Sequence, residues 1–273
     1  MSKTRAKTIR VQNIMGLLML MAGLAAGMNV QAADERIAEN HESTGAQVFA
    51  SGMHRVRVIE LFTSEGCSSC PPADRWLSAL RDQPGLWAQW VPLAFHVDYW
   101  DYIGWKDRFA QPSFGQRQRR YASEGNARAV YTPGIFVDGK DWRGWSRSEG
   151  ADLPHPTDPL AGQLTLEVSA GQTEVNYLPE KAPNEELFVN LAWLGFDRQS
   201  DVTRGENRGS KLTNDFVVLQ WDHQPMQRKG QTFHHQDSGI SAAPETASAV
   251  AAWISSVSSQ APMQAVGGWL QKP

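Results

Sequence analysis

The chain of 273 residues has only two cysteines, and both lie in one stretch, VIELFTSEGCSSCPPAD, at Cys67 and Cys70. A framework of several disulfides is therefore excluded, and whatever thiol chemistry the chain performs must pass through this pair. Apolar runs of membrane-spanning length are also scarce. The run over residues 14–26 falls short of the roughly 20 residues that a spanning helix needs. Positive charge is not in excess: 26 Lys and Arg stand against 29 Asp and Glu, a net charge of −3. That balance argues against a partner built on phosphate backbones, so no nucleic acid is expected. There is no fixed-period repeat and no extended low-complexity tract.

What the amino terminus does contain is Lys3, Arg5, Lys7 and Arg10, then the apolar run, then small residues at Val30-Gln31-Ala32. This order reads as a secretory signal over residues 1–32, with cleavage after Ala32. No cysteine follows it that could carry a lipid. The expectation is an exported bacterial protein, periplasmic or secreted, with no membrane span after signal cleavage. Residues 33–53 are polar and without periodicity, which predicts a flexible leader.

From Val56 onward the pattern alternates in type. VRVIELF reads as a buried strand, residues 71–80 as a helix, VPLAFHV as a strand and residues 109–122 as a polar helix. IFVDGK follows as a strand with a turn at Asp138-Gly139. This predicts an α/β domain over residues 54–147. Arg117, Arg119 and Arg120 are expected on the solvated end of the second helix. A Gly- and Pro-containing linker is predicted over 148–159. Residues 160–273 read as mostly β, from LTLEVSA, TEVNYL, LFVNLAWLGF and FVVLQW, with AAWISSV a short helix or strand. They form either a separate sandwich-like domain or an extension of the first sheet.

Cys67 and Cys70 fall where the first strand gives way to a helix, and Pro71 and Pro72 suit a first helical turn that needs no N–H groups. An amide-rich helix start favours thiolate over thiol, so Cys67 is expected as an exposed nucleophile and Cys70 as a shielded resolving thiol. A passive staple is the alternative, although a three-residue loop gains little from chain entropy. Thr132 and Pro133 open an apolar strand in YTPGIFVDG. The pair of motifs resembles thioredoxin-like proteins, in which such a Thr-Pro bond is cis and the proline faces the cysteines. Longer segments, ELFTSEGCSSCPPAD, FHVDYWDYIGWKDRFA, RQRRYA with VYTPGIFVDG, and RGENRGSKL, resemble the exported bacterial family known as domain-of-unknown-function family 1223. The matches span residues 60–212. The resemblance implies a thioredoxin-like fold, α/β with a mostly β C-terminal region, and export.

Other residues extend the candidate site. Thioredoxin-like enzymes place a proton-accepting acid six residues before the nucleophile, where this chain has Leu61. Glu60 is the candidate instead, on the sulfur side only if a bulge near Gly66 reverses the alternation. Tyr99, Trp100 and Trp105 crowd the end of the second strand and are candidates for the wall of a substrate groove. His96 is either a buried structural histidine or, with Cys67 and Cys70, part of a copper or zinc site. Glu206 and Asn207 in RGENRGSKL read as a tight structural turn, with binding as the second reading. The activity expected is thiol–disulfide exchange with protein or small-molecule thiols and a redox partner, with no cofactor beyond the Cys67–Cys70 pair. The rivals are a metal carrier and a non-catalytic binding module.

Overall fold

The structure is a computed structural model, and it describes residues 46–147, 160–169, 172–238 and 243–271. The predicted signal and the 148–159 linker lie outside them. Chain order runs β1 (Gln47–Ala50), β2 (Arg57–Thr63), α1 (Pro71–Ser78), β3 (Trp90–His96), α2 (Pro112–Ser123), β4 (Gly134–Val137) and β5 (Lys140–Asp141). Then come β6 (Gln163–Ser169), β7 (Gln172–Leu178), β8 (Leu187–Gly195), β9 (Arg198–Asp201), β10 (Lys211–Asn214) and β11 (Val217–Pro225). The chain ends with β12 (Gln227–Lys229), β13 (Thr232–Ser238), β14 (Ala249–Ser256) and β15 (Gln264–Trp269).

This order corrects the expected fold class. Only two α-helices accompany fifteen strands among the described residues, so the molecule is mostly β rather than an α/β thioredoxin-like domain with an appendage. Eight strands form one sheet in the order β15-β14-β8-β11-β3-β2-β4-β5. Its parallel pairings are β2 with β3 and β3 with β11; the others are antiparallel. The C-terminal apolar segments therefore extend the sheet that carries the cysteine loop, and the described residues all fall in one unit. The predicted 33–53 leader also fails at its end, because β1 pairs with β6 from Gln47↔Val168 to Ala50↔Thr165.

A second sheet, β1-β6-β7-β13-β12, covers one face of the large one. Side chains on β8 and β14 alternate between two cores, as a two-residue period requires. Leu187, Val189, Leu191 and Trp193, with Val250, Ala252 and Ile254, meet Leu164, Leu166, Val175, Tyr177 and Phe233 of the second sheet. Ala192, Leu194, Ala251 and Trp253 point the other way, into the core that also holds Phe62, Phe95 and Phe114. Strands covered on both faces read as unbroken apolar runs, and every residue of β2, β3 and β14 is buried. The predicted turn closes β4 on β5 with both central residues left-handed, Asp138 at φ 48° and Gly139 at φ 80°. Gly139 is required twice over, since a Cβ there would lie 2.8 Å from that of Ala261.

Candidate functional site at the cysteine loop

Between β2 and α1 the chain makes two tight turns. The Cys67 amide donates to Ser64 O at 3.1 Å and the Cys70 amide to Cys67 O at 3.2 Å. Pro71 and Pro72 then open α1, where the missing N–H groups cost nothing. This brings the two Cα atoms to 5.4 Å, and the sulfurs form a disulfide. The expected exposure is wrong. Cys67 is 1% exposed and Cys70 0%, whereas Ser68 and Ser69 between them face solvent. The amide-rich helix start is also thinner than expected, because two donors are spent inside the turns and the prolines have none.

The loop of residues 202–210, between β9 and β10, grips the motif. Asn207 Nδ2 donates to Glu65 O and Cys67 O, both at 2.9 Å, and the Ser68 amide donates to Glu206 Oε2 at 2.9 Å. Gly205, at φ 74°, lets the loop approach Ile103 and Trp105; a Cβ would come within 3.1 Å of Ile103 Cδ1. Glu206 and Asn207 thus belong to the candidate site rather than to a turn alone.

A buried ionic group adjoins the loop. Glu65 Oε2 accepts from Trp105 Nε1 at 3.1 Å and Oε1 from Asn214 Nδ2 at 3.0 Å. The Glu65 amide donates to Asp107 Oδ2 at 2.9 Å, and the same oxygen lies 2.7 Å from His96 Nδ1. An ionised Asp107 makes Nδ1 the protonated nitrogen, leaving Nε2 buried with no partner. Burial works against the His96 cation, but the charge and hydrogen bond of Asp107, with Asp74 and Glu65, override it and raise the pKa. For Asp107 burial is likewise overridden, by His96 and the amides of Glu65 and Phe109, and its pKa is lowered. Asp74 stands four residues after Cys70 on α1, so the two share a helix face. Burial pushes its pKa up from 3.8 to about 6 against the opposing pull of His96.

Glu60 is elsewhere. It is fully buried on the opposite face of β2, where Arg117 Nε donates to Oε1 at 2.6 Å and Tyr121 OH to Oε2. The alternation holds and no bulge reverses it, which removes Glu60 as the proton acceptor for the sulfurs. Arg117, expected in solvent, is 3% exposed and ringed by Phe95, Tyr121, Trp221 and Trp253 at 5.2–5.7 Å.

The Thr132–Pro133 bond is cis. Phe62 pairs with Gly134, so the antiparallel register sets Pro133 level with Thr63, at the end of β2 that leads to Cys67. Trp100 Nε1 donates to Thr132 Oγ1 at 2.6 Å. Tyr99 OH donates to Gln118 Oε1 at 2.9 Å, and Gln118 Nε2 to Tyr131 O at 2.6 Å. Tyr99 and Trp100 therefore brace the Thr-Pro segment and Trp105 braces Glu65, in place of a shared groove wall. Nor do Cys67, Cys70 and His96 assemble as ligands. Among the described residues no three His, Cys, Asp or Glu side chains are placed to hold a metal ion, and no helix is long and apolar enough to cross a membrane.

A family model described as a protein of unknown function (DUF1223) matches residues 58–255. The chain belongs to the DUF1223 family. The match takes in the cysteine loop, the Thr-Pro segment and the loop that carries Glu206 and Asn207, so the whole site lies within the DUF1223 region. Comparison with curated proteins finds no match. Among solved structures, the X-ray structure of a protein from Agrobacterium tumefaciens is similar at 24% identity and a TM-score of 0.56, over 79% of this chain and 94% of that one. HBP35 of Porphyromonas gingivalis is similar at 12% identity and a TM-score of 0.53, over 81% of this chain and 76% of that one. Both likenesses concern the fold of this DUF1223 chain alone.

Proposed function

We propose that the protein is an exported thiol–disulfide oxidoreductase in which Cys67 and Cys70 are the redox centre. The observation that carries this reading is the disulfide itself, closed at the start of α1 with ionisable groups beside it, buried His96 and half-buried Asp74. In the dithiol form, the Cys67 thiolate attacks one sulfur of a substrate disulfide. A Cys67–substrate bond forms and the other substrate sulfur leaves as a thiolate. Cys70 gives up its proton and attacks Cys67 sulfur, the second substrate thiolate leaves, and the Cys67–Cys70 bond re-forms. Two electrons pass from the cysteines to the substrate, and the reverse sequence oxidises a dithiol. Export supplies a compartment in which the oxidised form persists.

Redox titration of the full chain, followed by mass spectrometry of alkylated thiols, tests the reading. A reversible two-electron couple is expected, together with a trapped mixed disulfide in Cys70→Ser and none in Cys67→Ser. An irreversible couple, or equal trapping in both variants, overturns it. Burial of both sulfurs favours a second reading, a binding module with a structural disulfide. Full function of a cysteine-free variant would select that one.

A further inference from the structure

Beside the disulfide lies an open cleft of about 690 Å³, lined by Ile103, Thr203, Arg204, Gly205, Glu206 and Arg208. We infer that this cleft binds a carboxylate-bearing low-molecular-weight thiol or its disulfide, and that Glu206 holds the carboxylate's place until the substrate arrives. The inference rests on the exchange chemistry proposed above and names the substrate class for it.

Three observations converge. Arg204 and Arg208 are exposed on the cleft, and among the described residues neither is in an ion pair. Two guanidinium groups against one carboxylate leave a positive spot on a chain whose net charge is −3. Guanidinium forks match carboxylates geometrically, which fits a carboxylate ligand better than a general anion-attracting patch would require.

Second, the one acid in the cleft already makes the contact that such a ligand would make. The Cys67 and Cys70 amides bond within the turns and Pro71 and Pro72 have none, but the Ser68 amide reaches outward to Glu206 Oε2. That bond holds the Glu206 carboxyl below its ordinary pKa, so it is charged. A substrate carboxylate can take the same amide and gain Arg204 and Arg208 in addition.

Third, the loop that Glu206 anchors is the one bonded to the motif beside Cys67. Its neighbour Asn207 holds the carbonyls of Glu65 and Cys67. Displacing Glu206 removes one of the three side-chain hydrogen bonds between the loop and the motif, and the remaining two share a single amide group. Binding in the cleft and access to the buried Cys67 sulfur are thereby linked, which gives a reason for a redox pair that is covered at rest.

The test uses the full chain and two disulfides of opposite charge, glutathione disulfide and cystamine. The reduced protein is expected to show a kcat/KM for glutathione disulfide about tenfold above that for cystamine, a size typical of charge steering. Arg204→Ala/Arg208→Ala should bring the two values level. Glu206→Gln should raise the rate with glutathione disulfide by several-fold while leaving the order of the two substrates unchanged. S-methylglutathione, which keeps the carboxylates but has no thiol to exchange, separates the layers of the argument when titrated calorimetrically. Binding to the wild type that is lost in the double arginine variant supports the cleft even if neither disulfide reacts, in which case the exchange reading alone fails. Equal kcat/KM for the two disulfides, or no binding of S-methylglutathione, overturns the cleft assignment while exchange itself stands.

Discussion

Two buried ionic groups sit on opposite faces of the same strands, and they are built differently. On the α2 face, Glu60, Arg117 and Tyr121 form a closed set in which both carboxylate oxygens are hydrogen-bonded and the cation is enclosed by aromatic rings. On the α1 face, Glu65, Asp74, His96 and Asp107 form an open set: one imidazole nitrogen has no partner and one carboxyl is pushed up to about 6. A closed set fixes packing. An open set, next to a disulfide, keeps protons that can move near neutral pH. Glu60, the acid that the thioredoxin-like pattern points to, is a structural one, while the acids of the open set are Glu65 of the cysteine loop itself, Asp74 of α1 and Asp107 of the loop after β3.

Glu60→Ala leaves Arg117 buried without its partner, and a loss of about 3–5 kcal/mol is expected in denaturant unfolding. Disulfide exchange by the folded fraction should be unchanged, since Glu60 faces away from the sulfurs. Asp107→Ala comes next, at about 2–3 kcal/mol, because two amides and His96 lose their acceptor. The effect depends on pH. Asp107 has a lowered pKa, so its contribution is fully present above 3.8 and is lost as pH falls through the lower folded value. His96 has a raised pKa, so its share is full below 6.5 and is lost as pH rises through the higher folded value. The stability gap between wild type and variant should therefore be widest between those limits.

The smallest effect has the opposite sign. The folded pKa of Asp74 lies above its unfolded value, so ionising it costs stability as pH rises from about 4 to about 6. Asp74→Asn should stabilise the protein by about 1 kcal/mol at pH 8, a value discounted for partial exposure, and by nothing near pH 4. Thermal melts across that range would show it, and a destabilised variant at pH 8 would count against an ionised Asp74.

Much of this was legible in the sequence, for identifiable reasons. β2, β3 and β4 announced themselves as apolar runs, and Asp138-Gly139 announced its turn. Strand alternation placed Glu60 on the far face without help from a bulge. For Arg117 charge and spacing point opposite ways, and spacing prevails: Phe114, Arg117, Gln118 and Tyr121 follow the i, i+3, i+4, i+7 spacing of a buried helix face. The strand β15 lies beyond the last segment that the pattern singles out, and its Gly267 and Gly268 make room for Trp87 and Phe49. The fold class could not be read from local pattern, since nothing in the chain between β8 and β15 states which sheet those strands will join. Asp107 carried no signal of its own, and its role comes from a loop that folds back under His96.

The sheet is continuous on paper, yet β3 and β11 share a single register pair, Val217↔Ala94, with a backbone bond from the Ala94 amide to Phe216 O. Across that seam the large contacts are rings: Phe95 meets Trp221 and Trp253, and Phe114 meets Trp221. The half that holds the cysteines is joined to its β-rich companion by these rings and by side-chain hydrogen bonds, Gln111 Nε2 to Leu219 O and Gln260 Nε2 to Arg117 O among them, and a change of ring size at Trp221 would be felt in both halves at once.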